Sequence, residues 1–170
     1  LIILSEEDAH DGKALPLGIF AGIYYAFRDS SVELVLASRQ GGYLFLDLQA
    51  DSASGDDGVS QRFRDDRAAR DEISDTVCYD LVHAEDFDAA MCLAPLEDDV
   101  ARPLPERAQL LVNSLLLLGK PVAVFPETLA PASGNGLLIT GGNARVSVDA
   151  ANALLGIIRS ARPRNDTASR

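Results

Sequence analysis

With 170 residues, 47% of them apolar and 24% charged, the chain is long enough to bury a core without staples and too apolar for a disordered segment. Its formal charge of −11, with acidic clusters at Glu6-Glu7-Asp8, Asp56-Asp57 and Glu97-Asp98-Asp99, sets nucleic-acid phosphates and anionic lipid headgroups aside as partners. The densest apolar run, residues 115–118, falls far short of the roughly 18 to 20 residues that span a bilayer.

Residues 1–5 are a continuous apolar run ending in a polar loop, the pattern of a parallel strand buried on both faces. They carry neither the basic segment nor the small-residue cleavage site of a secretory signal. A loop over 6–13 leads to a helix predicted at about 15–29, where Pro16 suits the first turn and Ile19, Phe20, Ile23 and Phe27 recur at helical spacing. The next strand is predicted at 32–38, closed by Gly41-Gly42, with a short one at 43–46 before a polar loop over 47–58. A charged amphipathic helix is predicted at about 59–73, then strands at 77–82 and 88–93. Pro105 and Glu106 open a helix over 104–118 that Gly119 stops. Strands at 121–125 and 137–140 and a helix at 148–160 complete the alternation, which implies a mostly parallel sheet with helices on both faces. Residues 1–160 are expected to form one domain and 161–170, polar and containing Pro163, a disordered tail.

Cys78 and Cys92 both sit in apolar strand-like runs, the setting of buried, reduced thiols in a cytosolic protein. Cys92, flanked by Met91 and Leu93, reads as a packing thiol rather than a nucleophile. His10 among Glu6, Glu7, Asp8 and Asp11 lacks the ordered spacing of a metal site and reads as a solvated acidic loop, so no metal or cofactor is expected. His83 is expected at a turn before Asp86, capping it or facing water. Gly41-Gly42 and Gly141-Gly142 have no phosphate-loop spacing and read as turns.

The motifs fall in a recognisable order. Ala21 and Tyr24-Tyr25-Ala26-Phe27, Leu36-Ala-Ser-Arg-Gln-Gly-Gly42 followed by Asp47, Asp86-Phe-Asp-Ala-Ala90, Gly119-Lys-Pro-Val-Ala123 and Gly136-Leu-Leu-Ile-Thr140 succeed one another over about residues 1 to 155. Together they resemble the ThiJ/PfpI superfamily, the class I glutamine amidotransferase-like fold. The resemblance implies a flavodoxin-like three-layer α/β/α sandwich and a homodimer.

Against the catalytic members of that family, the departures cluster at the site. The resemblance implies that Pro126 stands at the nucleophilic cysteine and Glu127 at the adjoining histidine, after a strand that in catalytic members ends in a nucleophile turn. A proline has no reactive side-chain atom and its φ is fixed near −65°. Ile19 stands where the supporting acid is expected, and Leu93-Ala-Pro-Leu-Glu97 replaces the glycine turn that offers N–H groups to an oxyanion, with Ala94 and Pro95 at its centre. Losing one oxyanion donor costs about 10²–10³ in rate, and losing the nucleophile removes the covalent route. The expectation is a non-catalytic binding, regulatory or structural module. Two alternatives accompany it: a hydrolase, hydratase or glyoxalase-like lyase with chemistry moved to Glu127 as base and Asp11 or His10 as partner, and a chaperone-like oligomer. Glu127 is equally placed to stabilise the N-terminus of a following helix.

Overall fold

Side chains alternate across three apolar strands and so build two cores at once. In β1 (Ile2–Leu4), Ile2 and Leu4 face one side and Ile3 the other; in β6 (Ala90–Leu93) and β7 (Val122–Phe125), Met91, Leu93, Ala123 and Phe125 share the first side while Ala90, Cys92, Val122 and Val124 share the second. All eleven of these side chains are buried, so the strands read as unbroken apolar runs because neither face meets water. The computed structural model describes residues 1–4, 14–47, 57–94, 104–125, 136–140 and 144–161.

The elements in order are β1, β2 (Leu15–Pro16), α1 (Leu17–Arg28), β3 (Leu36–Ser38), β4 (Leu46–Asp47), α2 (Asp57–Asp65), α3 (Arg67–Ser74), β5 (Val77–Cys78), two 3-10 turns (Tyr79–Leu81 and Ala84–Asp86), β6, α4 (Glu106–Leu117), β7, β8 (Leu138–Thr140) and α5 (Ala144–Ala161). The main sheet is parallel throughout in the order β5-β3-β1-β6-β7-β8. Without the two-residue outer strand β5, the remaining order is the flavodoxin-like one. Helices α1 and α5 cover one face and α4 the other, giving three layers.

The chain departs from its predicted elements in several places: the strand expected over 32–38 forms only at Leu36–Ser38, and Leu15–Pro16, expected in the first helix, form β2. The single helix expected over 59–73 is two, because Asp66 turns extended (φ −84°, ψ 102°) and its carboxylate accepts the Ala69 N–H at 3.2 Å, starting α3 afresh. The strand expected at 43–46 is β4, which pairs in parallel with β2 as a separate two-stranded sheet. The strand expected at 77–82 ends at Cys78, where the chain winds into the 3-10 turn over Tyr79–Leu81. The last helix begins at Ala144 rather than 148. Gly141-Gly142 and the tail over 162–170 lie outside the described residues.

Two of the motifs are structural joints. Gly119, at φ +76°, ends α4: its N–H donates to Leu116 O at 3.0 Å and the Lys120 N–H to Leu115 O at 3.0 Å, the paired bonds of a Schellman cap. Lys120 Nζ then donates to the carbonyls of Ala84 and Glu85 at 2.8 and 2.7 Å, tying the end of α4 to the turn that precedes β6. At the other joint, the Gly41 N–H donates to Ser38 Oγ at 3.1 Å, Ser38 Oγ lies 2.7 Å from Thr76 Oγ1, and Thr76 Oγ1 donates to Gly42 O at 2.7 Å. Thr76 has one hydroxyl proton and spends it on Gly42, so Ser38 is the donor to Thr76. Gly41 sits at φ +75°, and a Cβ there would stand 3.0 Å from both Thr76 O and Cys78 N.

Candidate functional site

Open parallel sheets bind ligands beyond the carboxyl ends of their strands, where the strand order reverses. Here that point lies between β1 and β6. Leu4, Leu93 and Phe125 stand side by side across the sheet at this end, in register and facing α1. Ile19, in the first turns of α1, is 7% exposed and belongs to the same apolar cluster. The Ala94 N–H donates to Phe125 O at 2.8 Å, extending the ladder one residue, and the half-buried Ala94 side chain packs with the α4-side core. On that side the buried Tyr79 hydroxyl donates to Leu4 O, holding the last carbonyl of β1.

The described residues at these strand ends are Ser38, Leu4, Leu93, Ala94 and Phe125, and the hydroxyls that reach them, of Ser38 and Tyr79, are hydrogen-bonded to Thr76 and to Leu4 O. Of the residues singled out in the sequence, Ala94 follows the end of β6 and Ile19 is buried in the core on the α1 side. Pro95, Pro126, Glu127, His10 and Asp11 lie outside the described residues. Among the described residues no group of three His, Cys, Asp or Glu side chains is arranged to hold a metal ion. No helix among them is long and apolar enough to cross a membrane.

Neither cysteine stands at the crevice. Cys92 is fully buried inside β6 on the α4 side, and burial pushes its thiol up to about 12. Cys78 corrects the expectation of a buried thiol: it is half-exposed on the edge strand β5, where its Sγ–H donates to Arg39 O at 3.3 Å. Three strand spacings separate β5 from β6, about 14 Å at the usual 4.7–4.9 Å each, which is too far for a disulfide. His83 is exposed and makes no side-chain cap to the turn that follows it.

The polar chemistry that the sequence hid sits at one flank of α1. Tyr24 Oη donates to Glu72 Oε2 at 2.9 Å and Tyr25 Oη to Asp66 Oδ2 at 3.0 Å, clamping α3 onto α1. Phe20, Tyr24, Tyr25 and Phe63 pack edge-to-face or stacked around this junction, and the Arg62 guanidinium lies 3.6 Å from the Tyr25 ring centre. Arg62 also holds Asp29 through two bonds of 2.7 and 2.8 Å, which keep that carboxyl below the usual carboxylate range. Burial, then the bond to Asp66, pushes the Tyr25 phenol up to about 12; burial and Glu72 raise that of Tyr24 further. Hydrogen-bonding partners 41 and 48 residues away leave no local sequence pattern, although Asp66 three residues before Ala69 is a legible helix start.

No protein-family model matches the chain, and no curated protein matches it by sequence. Solved structures do. The chain superposes on the ThiJ/PfpI domain protein of Brachyspira murdochii with a TM-score of 0.60 at 16% identity, over 95% of this chain and 96% of that one. The fold is that of a ThiJ/PfpI domain. The Rapid Encystment Protein 24 KDa of Francisella tularensis shares this ThiJ/PfpI-like fold with the present chain at a TM-score of 0.65 and 12% identity, over 92% of this chain and 98% of that one. Glyoxalase III of Candida albicans does so at 0.60 and 13%, over 91% and 95%. At these identities the ThiJ/PfpI likeness is one of fold, and the side chains of the crevice speak for themselves.

Proposed function

We propose that this chain is a non-catalytic ThiJ/PfpI-like module, a single domain over residues 1–160 that binds, regulates or scaffolds rather than turning over a substrate. The observation that supports this reading is Ile19: on the helix where the family resemblance expects a supporting acid, the residue is aliphatic and 7% exposed, within the core on the α1 side. The sequence adds Pro126 at the nucleophile's position and Pro95 where an oxyanion donor would stand. The two thiols of the chain offer no substitute, since one is sealed inside β6 and the other lies at the sheet's outer edge. Two thiols too far apart to bridge also suit a reducing cytoplasm, and the homodimer implied by the family resemblance is part of this reading. Purified protein incubated with glyoxals, isonitriles, amides and peptides is expected to show no turnover above buffer; activity that copurifies through several columns and is lost on Glu127→Gln, with the melting temperature unchanged, would replace this reading with one of relocated chemistry. The likeness in fold to glyoxalase III is why methylglyoxal heads that series. A chaperone-like role makes a separate prediction: suppression of client aggregation at stoichiometric concentration.

A further inference from the structure

We propose that the outward face of α4 is the surface through which two copies of this chain associate about a two-fold axis. This deepens the homodimer reading and rests on it. The inward face of α4 is ordinary: Ala108, Leu111, Val112, Leu115 and Leu116 are buried against the sheet. The outward face is not. A helix at a protein surface turns polar residues to water, yet Leu110, Leu117 and Leu118 are 51%, 66% and 49% exposed. After Glu106 and Arg107 in its first turn, the helix carries no charged residue.

Leu110, Ser114 and Leu117 follow one another at spacings of four and three, the seam of a helix that packs on another helix. The stripe reads alike in both directions about Ser114, so two antiparallel copies set Leu110 of each opposite Leu117 and Leu118 of the other. That self-complementarity is what a two-fold interface requires. Ser114 at the crossing point is small, and its hydroxyl already donates to Leu110 O at 2.9 Å, so burying it leaves no orphaned donor. Arg107, at the rim, is paired with Asp80 at 3.5 Å. A chain of charge −11 repels its own copies, and a helix face without charged side chains adds nothing to that repulsion. Three leucines make a core smaller than the standard interface of about 800 Å² per partner, so the association is of the weak, micromolar kind.

The test is sedimentation velocity over a series from low micromolar to sub-millimolar protein, together with cysteine trapping in a Cys78→Ser background. Wild type is expected to pass from monomer to dimer. Leu117→Glu is expected to weaken the dimer at least about 30-fold, because a two-fold interface is struck twice by one substitution, while Phe45→Glu, exposed elsewhere, leaves it unchanged. Ser114→Cys is expected to form an intermolecular disulfide under mild oxidation that Ser74→Cys does not. A monomer at every concentration overturns both the homodimer reading and this surface. A dimer indifferent to Leu117→Glu, with no Ser114→Cys cross-link, overturns the surface alone.

Discussion

Ser38→Ala tests whether the Ser38–Thr76 joint holds β3 and β5 together. The hydroxyl of Ser38 is fully buried, accepts the Gly41 N–H at 3.1 Å and donates to Thr76 Oγ1 at 2.7 Å. Two lost bonds cost about 1 kcal/mol each, and the stranded Gly41 N–H adds about half as much again, for a total of about 2–3 kcal/mol. In a chain of this size each kcal/mol moves the melting temperature by about 2–4 °C, so a fall of about 5–10 °C is expected. Urea unfolding should show a lower midpoint at unchanged slope, since the surface exposed on unfolding is the same. Thr76→Val breaks the joint from the other side, leaving the Ser38 hydroxyl without its acceptor and Gly42 O with the Thr76 N–H alone, at 3.0 Å. Because each single change orphans what the other removes, the double variant should cost less than the sum by about 1 kcal/mol. A loss within about 0.5 kcal/mol for Ser38→Ala, the range of an ordinary surface change, or strict additivity of the pair, would refute the joint.

Alkaline pH should unfasten the α1–α3 clamp. The Tyr25 phenol is raised from 10.0 to about 12 and that of Tyr24 is raised too, so the stability they confer is complete below about pH 10 and drains away as pH climbs through 12. Absorbance at 295 nm should show Tyr24 and Tyr25 titrating only with unfolding; ionisation near pH 10 in an intact fold would contradict the clamp. Asp66→Ala should cost about 1–2 kcal/mol as a lost helix cap, with Asp66→Asn closer to wild type. The Asp66 carboxyl is held below its ordinary 3.8, first by the Ala69 N–H and then by the Tyr25 hydroxyl, so its contribution is present above about pH 4 and lost on further acidification; an acid-unfolding curve unchanged by Asp66→Asn would deny it. A disulfide reagent should label Cys78 in the native protein and Cys92 only after denaturation, as a half-exposed and a sealed thiol require; native labelling of Cys92 at a comparable rate would mean that β6 opens.

The central strands and α1, α4 and α5 were legible because burial on both faces writes continuous apolar runs and burial on one face writes a helical stripe. What was misread depended on position in the sheet. The run from Val77 to Val82 looks like a core strand, but it lies at the outer edge, so it stops at Cys78 and leaves that thiol half-exposed. Hydropathy along a short run does not distinguish an edge strand from a central one. The break between α2 and α3 was present as an aspartate at a helix start, yet the amphipathic stripe runs across it: Phe63 and Ile73 both reach the core on the α1 side. Ile19 is legible as an apolar position of the helical stripe and packs in the core on the α1 side, whereas Pro95, Pro126 and Glu127 lie outside the described residues.

The motifs that carry the family resemblance and those that would carry chemistry are different residues under different constraints. Ser38, Gly41 and Gly42 close a hydrogen-bonded joint, and Gly119 and Lys120 cap α4 and tie it to the turn before β6. Each is demanded by backbone geometry: a left-handed φ, an approach too close for a Cβ, or a carbonyl in need of a donor. Such demands persist whether or not the crevice performs a reaction, because a chain that fails them does not reach the fold. A nucleophile or a supporting acid answers to the substrate alone, and changing it leaves the joints untouched. It follows that neither the motif matches nor the fold likeness carries weight as evidence of activity in this chain; that evidence has to come from the residues at the strand ends.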